Sequence, residues 1–187
     1  SCVTSLGAVP INVDASGIDV AFSCTQKGLS SVPGMSPFTA SAKAMAQLDA
    51  RQDPNLVWYL DLKLLREYYE NRKYHHTAPV TNFYSLREAL AAITDEGAEN
   101  RFARHAKVHE SFVKRVEAMG LQMLVAPGSR LPNLNTVRVP DGVADAPVRT
   151  KMLQEHGIEI AGGLGALAGK IFRVGVMGPL AEEKQLD

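Results

Sequence analysis

The sequence predicts an α/β segment followed by a small α+β C-terminal domain, and three observations carry that expectation. A β-branched and aromatic run, Ile18-Asp19-Val20-Ala21-Phe22, reads as a short buried strand. Two amphipathic helical stretches occupy the middle of the chain. After Gly120 the pattern changes to strand, strand, helix, strand, strand, the order of a small α+β domain with an antiparallel sheet.

Taken in order, residues 1–24 alternate short apolar runs with Gly and Pro, beginning with a strand-like run from Cys2 to Gly7. Residues 25–36 are polar, small and Gly-containing, hence a loop. Regular structure resumes at Pro37 and is Ala-rich and helical over Ala40–Leu48, and 51–58 form a second loop. Leu62, Leu65 and Tyr69 recur at helical spacing, and Tyr74-His75-His76-Thr77-Ala78-Pro79 is bent by its proline. Ser85-Leu86-Arg87-Glu88 has capping-box form, and Phe83, Leu86, Leu90 and Ile93 share a helix face. The next helix runs from about Glu99 to Met119, with Phe102, Ala106, Val113 and Val116 inward and Gly120 as its terminator. Leu121–Val125 and Thr136–Val139 read as strands, and Ala146–His156 as a helix ended by Gly157. Ile158–Ile160 and Ile171–Met177 read as two further short strands.

Composition bounds the function. The chain has 187 residues, 45% apolar and 21% charged, which is enough for a real core. Lys plus Arg equals Asp plus Glu, so the surface has no positive excess with which to neutralise a nucleic-acid backbone. Cys2 and Cys24 make neither a zinc site nor a disulfide framework and are expected to be free thiols in a reducing compartment. No apolar run approaches the roughly 18–20 residues of a membrane helix, and no basic n-region opens a signal peptide. A soluble, cytoplasmic protein is expected, an organellar address in a eukaryote being left open. The absence of an initiator methionine, and a polar end at Ala181–Asp187 where a helix would begin, lead us to expect a fragment.

Few residues are placed to carry chemistry. In Phe22-Ser23-Cys24-Thr25-Gln26-Lys27-Gly28 a single lysine leaves a strand and enters a small-residue loop, where its amine can reach a carbonyl carbon. An anonymous lysine there is by default a solvated surface residue. His105 and His109 stand at i, i+4, a spacing that can bind metal. No glutamate lies between them as a general base and no third ligand is evident, so a solvated helix face is expected. His75 and His76 read as loop histidines packing a turn, and Leu62, Leu65, Phe83, Leu86, Leu90 and Ile93 as core or dimer contacts. Gly163-x-Gly165-x-x-Ala168 fits a relaxed dinucleotide fingerprint, but a strand rather than a long helix follows it. It is not a P-loop either, because Ile171 follows Lys170.

Longer patterns are more specific. Ser5-Leu6-Gly7, Gly17-Ile18-Asp19-Val20, Ser23-x-x-Gln26-Lys27-x-Leu29 and Pro33-Gly34 resemble the lysine-bearing segment of class V aminotransferases of fold type I, in particular the alanine/serine–glyoxylate and serine–pyruvate group. Tyr59-Leu60-Asp61-Leu62, Tyr74-His75-His76-Thr77-Ala78-Pro79-Val80 and Tyr84-Ser85-Leu86-Arg87-Glu88-Ala89-Leu90 match the same group in the same order. So do Arg130-Leu131-Pro132, Gly157-Ile158-Glu159-Ile160, Gly162-Gly163-Leu164-Gly165 and Gly169-Lys170-Ile171-Phe172-Arg173-Val174-Gly175.

The resemblance implies that residues 1–80 end the large pyridoxal-phosphate (PLP) binding domain and that 81–187 are the small α+β domain. It makes Lys27 the Schiff-base lysine and proton shuttle, and Gln26 a hydrogen-bond donor to the cofactor phosphate. Tyr74 and Thr77 would reach the phosphate of the other subunit's cofactor, so that a homodimer shares its sites. Arg173 would hold the substrate carboxylate through two parallel hydrogen bonds. The implied activity is transamination between a small amino acid, alanine or serine, and glyoxylate or pyruvate. The alternatives are another class V activity (aminoethylphosphonate transamination or a lyase), or a non-catalytic dimerisation module. One position departs: where the family has an aspartate that pairs with the pyridine nitrogen, this chain has Ser1, which we expect to reflect a boundary of the chain. The family's N-terminal part, with the remaining sheet, the phosphate-binding turn and the ring-stacking aromatic, has no counterpart here.

Overall fold

A computed structural model describes residues 1–53 and 55–186. Its N-terminal part is built on a two-stranded antiparallel ribbon, β1 (Val20–Phe22) against β2 (Phe38–Ala40), with Ala21 opposite Thr39. Cys2 N–H donates to Phe22 O at 2.8 Å, which draws the N-terminal segment alongside β1. Ser41 caps α1 (Ala42–Ala50) by accepting from Ala44 N–H. The same hydroxyl donates to Asp19 Oδ1 at 2.7 Å, so the cap also anchors the ribbon. Asp61 caps α2 (Leu62–Asn71) through Lys63 and Leu64 N–H.

Two long helices, α3 (Val80–Glu96) and α4 (Ala98–Ala118), meet at Gly97, whose φ of 81° lets the chain reverse between them. Beyond them lies a three-stranded antiparallel sheet in the order β3–β5–β4, from β3 (Leu134–Arg138), β4 (Ala161–Gly162) and β5 (Ile171–Gly175). The helix α5 (Asp145–His156) connects β3 to β4. Val116 of α4 packs on Val137 of β3 and Phe172 of β5, joined by Phe112, Met123, Val148 and Ile160. A second cluster, Val108, Val176 and Ala181, ties α4 to the segment after β5. The mixed α/β N-terminal part and the antiparallel α+β C-terminal part are as the sequence predicted, and the place of their division at residue 80 remains our proposal.

Several elements differ from expectation. The Cys2–Gly7 run forms turns, because Leu6 N–H closes onto Cys2 O and Ala8 N–H onto Ser5 O. The strand β1 is not buried: Val20 and Phe22 are 47% and 48% exposed, and only Ala21 between them faces inward. The partner strand β2 is too short and mixed for periodicity to reveal it. Ser85 caps nothing; α3 starts at Val80 after Pro79, and Ser85 Oγ instead bonds Ser31 Oγ at 3.0 Å. Leu121–Val125 contributes one bridge, Met123 to Val137, rather than a full strand. The pairing expected at Ile158–Ile160 falls at Ala161–Gly162. The buried face of α4 carries Arg101, His105, Val108 and Val116, whereas Phe102 and Ala106 are only half-buried. Among the described residues no helix is long and apolar enough to cross a membrane.

Candidate active site

The exit of β1 is fixed by small polar side chains. Ser23 Oγ donates to Cys2 O at 2.9 Å, and Thr25 Oγ1 donates to Val32 O at 2.6 Å; both residues are buried. Between and beyond them the backbone turns tightly, with Ser30 N–H on Lys27 O and Ser31 N–H on Thr25 O, each at 2.9 Å. Gln26 and Lys27 ride on the outside of this turn with exposed side chains. The turn is seated on the N-terminal segment by close backbone approach. A Cβ on Gly28 would lie 2.2 Å from Leu6 O, so only glycine fits there.

From α4 the buried Arg101 reaches the same turn. Its guanidinium donates to Gly7 O at 2.8 Å, to Gly28 O at 2.9 Å and to Ser30 Oγ at 3.0 Å. Its remaining nitrogen pairs with Glu96 at 2.9 Å. Glu96 also holds Arg104 at 2.6 Å, and Arg104 donates to Gly178 O and Ala181 O at 3.0 and 2.7 Å. The guanidinium of Arg104, then that of Arg101, holds the Glu96 carboxyl below its ordinary range. The fully buried Asn133 donates to Thr4 O at 2.6 Å, adding a second tie from the C-terminal sheet to the N-terminal segment.

Arg173 sits in the central strand β5, between Thr136 of β3 and Ala161 of β4, and is half-buried. Its Nε donates to Gly162 O at 2.7 Å, which fixes the plane of the guanidinium. The fixed contact of this guanidinium is thus a backbone carbonyl. Tyr74 and Thr77 are brought together, Tyr74 Oη lying 3.1 Å from Thr77 Oγ1, with both residues exposed. The intervening His75 is buried, stacks on Trp58 at 4.0 Å, and lies 2.9 Å from His76 between Nδ1 atoms. These histidines therefore pack a turn, as their neighbourhood to Pro79 suggested.

The candidate residues thus occupy three places: Gln26 and Lys27 on one loop, Tyr74 and Thr77 on another, and Arg173 in the C-terminal sheet. The structure links the first and third through the segment after β5, since a Cβ on Gly178 would meet Ser30 Oγ at 2.4 Å. His105 and His109 are neither a metal pair nor a solvated face. His105 is buried, donating from Nδ1 to Arg101 O at 2.8 Å and accepting Gly178 N–H on Nε2, and burial pushes its imidazole below the ordinary range. His109 Nδ1 meets Asn135 Oδ1 at 2.7 Å. Sequence reading missed Glu96, Arg101 and Arg104 altogether. The available signal was a helix whose apolar stripe is interrupted by Arg101, Arg104 and His105 on the side that carries Val108. Among the described residues no cluster of three or more metal-ligating side chains occurs.

Comparison with known proteins agrees with this architecture. The family model described as aminotransferase class-V matches residues 2–177. Alanine–glyoxylate aminotransferase of Oryctolagus cuniculus is 38% identical over 190 aligned positions, covering 99% of this chain and 48% of that protein. The (S)-ureidoglycine–glyoxylate transaminase of Bacillus subtilis (strain 168) is 34% identical, covering 94% of this chain and 47% of that protein. The crystal structure of alanine–glyoxylate aminotransferase from Nostoc sp. superposes with a TM-score of 0.96 at 49% identity, over 100% of this chain and 50% of the other. The chain therefore spans about half the length of the relatives it matches.

Proposed function

This chain belongs to the aminotransferase class-V family, and from that premise we propose that it supplies the lysine and the carboxylate-binding arginine of a PLP-dependent transaminase. The amino group would pass from a small amino acid, alanine or serine, to glyoxylate or pyruvate. Glyoxylate is favoured because the names of the relatives above share it. The single observation that carries the reading is the Phe22–Gly28 segment. There a strand runs into a tight turn seated at Gly28 on the backbone of Leu6, with Ser23 and Thr25 buried and Gln26 and Lys27 exposed side by side.

The residues present fit the cofactor in their chemistry: a primary amine at Lys27, an amide beside it at Gln26, and two hydroxyls at Tyr74 and Thr77. Ser1, at the position of the family's aspartate, is the exception. When bound, PLP supplies an aldehyde that a primary amine can engage and a ring that acidifies the α-hydrogen of an amino acid. Lys27 Nζ would then be the base that takes the substrate's α-proton and the acid that delivers it to the carbon of the former aldehyde. The Gln26 amide would donate to the cofactor phosphate, and the Tyr74 and Thr77 hydroxyls to that of the other subunit's cofactor. Arg173 has its Nε committed to Gly162 O, so the terminal Nη pair is the end offered to a substrate carboxylate, a geometry suited to two parallel bonds. Tyr74 is 74% exposed, in keeping with a role toward a second copy of the chain.

The test is borohydride reduction of the protein, expressed from its complete gene and saturated with PLP, followed by peptide mapping. The pyridoxyl group should lie on Lys27, and Lys27→Ala should lose both the label and the visible absorbance band. A label on Lys43 or Lys170 instead overturns the assignment.

A further inference from the structure

We propose that Glu96, Arg101 and Arg104 form a positioning clamp that sets the Lys27 turn against the segment carrying Arg173, so that amine and guanidinium act on one substrate. The proposal rests on the roles given above to Lys27 and Arg173, and it concerns residues that touch neither substrate nor cofactor.

The geometry is specific. Lys27 is flexible and exposed, so its reach depends on the backbone beneath it. That backbone is strained: Ser30 has φ 62°, a left-handed conformation that a residue with a Cβ keeps only when its surroundings impose it. Arg101 provides the imposition, since one guanidinium spans Gly28 O and Ser30 Oγ inside the turn and Gly7 O beneath it. A lysine could satisfy only part of this set, because an ammonium is a point donor and the guanidinium a planar fork.

The second arm begins three residues after the end of β5. Arg104 holds Gly178 O and Ala181 O, and Gly178 is the residue whose α-carbon backs directly onto Ser30. Glu96 is common to both arms, with 2.9 Å to Arg101 and 2.6 Å to Arg104. Three residues on consecutive helices thereby fix two segments that are about 150 positions apart in sequence, Lys27 and Arg173. Placement within a fraction of an ångström is what a shared substrate demands of two groups on separate elements. Burial raises the stakes: the Arg101 side chain is 4% exposed, and its charge is balanced by Glu96 and by carbonyl oxygens.

The experiment compares wild-type protein with Arg101→Lys, Glu96→Gln and Ser30→Ala, each from the complete gene, with folding checked by circular dichroism. Amide hydrogen exchange of residues 24–32 is measured without cofactor. The pH midpoint of the visible band, and kcat and KM for the amino donor, are measured with saturating PLP. In folded Arg101→Lys, exchange of the turn should rise about tenfold or more, because the opening of that turn becomes local. The band midpoint should shift, and kcat should fall about tenfold with a smaller change in KM, as expected when only alignment is lost. Ser30→Ala, which removes one exposed acceptor, should move the same readouts in the same direction by less. Should Arg101→Lys and Glu96→Gln both fail to fold, Ser30→Ala decides alone. Folded variants whose exchange, band midpoint and kcat all stay within twofold of wild type overturn the clamp. If the wild type takes no label at Lys27, the reading of the active site fails, and the exchange data still decide whether the clamp orders the turn.

Discussion

His105 Nε2 accepts the backbone N–H of Gly178 at 3.2 Å while its Nδ1 donates to Arg101 O at 2.8 Å. The two bonds define one neutral tautomer, and a second proton on the ring would set two N–H groups against each other at Gly178. Burial, the largest influence, holds the folded imidazole below its ordinary value of 6.5. The unfolded chain therefore takes up a proton at a pH where the folded chain does not. Stability from this group is complete above about pH 6.5 and is lost as pH falls toward the lower folded value. We expect the melting temperature to drop between pH 7.5 and 5.5 and the slope to flatten in His105→Gln. An unchanged slope in that variant would assign the dependence to other groups.

Arg173 is held in a central strand with its plane set by Gly162 O. Arg173→Ala should reduce kcat/KM by about 100-fold or more, roughly 3 kcal/mol, through loss of a charge-assisted bidentate pair. Arg173→Lys should recover only part of it, since an ammonium cannot pair both oxygens in one plane. Steady-state kinetics with alanine and glyoxylate give the answer, and a loss of only a few-fold would remove the arginine from substrate binding.

Gly28 is enclosed by Leu6 O, which would stand 2.2 Å from an added Cβ. The atoms that close on it, of Leu6 and Thr4, are all backbone, so backbone must move. Gly28→Ala should destabilise the protein by about 2–4 kcal/mol, a cost typical of overpacking plus backbone strain. Urea denaturation measures it, and a change below about 0.5 kcal/mol, the level of an ordinary surface substitution, would mean that the turn yields freely.

Val20, Phe22 and Phe38 of the ribbon are nearly half exposed, together with Trp58 and Leu60 at 55% and 62%. Expressed alone, the 187-residue chain should associate or bind hydrophobic dyes, and should not transaminate. Turnover of about 1 s⁻¹ or faster, within the range of ordinary enzymes, would show that no further polypeptide is needed.

Much of the fold was legible because its signals are local. Gly120 and Gly157 mark real helix ends, and the β-branched run at Ile171–Val174 is a real strand. The class V motifs around Lys27, Tyr74 and Arg173 are likewise contiguous, so their resemblance to the family is visible in the sequence. The sequence also argued correctly against a dinucleotide fold at Gly163-Leu164-Gly165, where a short 3-10 turn and then β5 follow.

Other features are decided by partners distant in sequence. Ser85 has the form of a capping residue, yet Pro79 begins the helix earlier and Ser31 takes the hydroxyl. His105 has the form of an exposed metal ligand, yet Gly178, 73 residues away, makes it a buried hydrogen-bond acceptor. Arg101 sits on a helix face where charge signals solvent, and only tertiary packing brings the carbonyls of Gly7 and Gly28 to its guanidinium. Local propensity placed most of the helices and β5, and contiguous motifs carried the resemblance to the family. The tertiary structure alone decided which buried charges are satisfied, because a hydrogen-bond partner close in space leaves no periodic trace in the sequence.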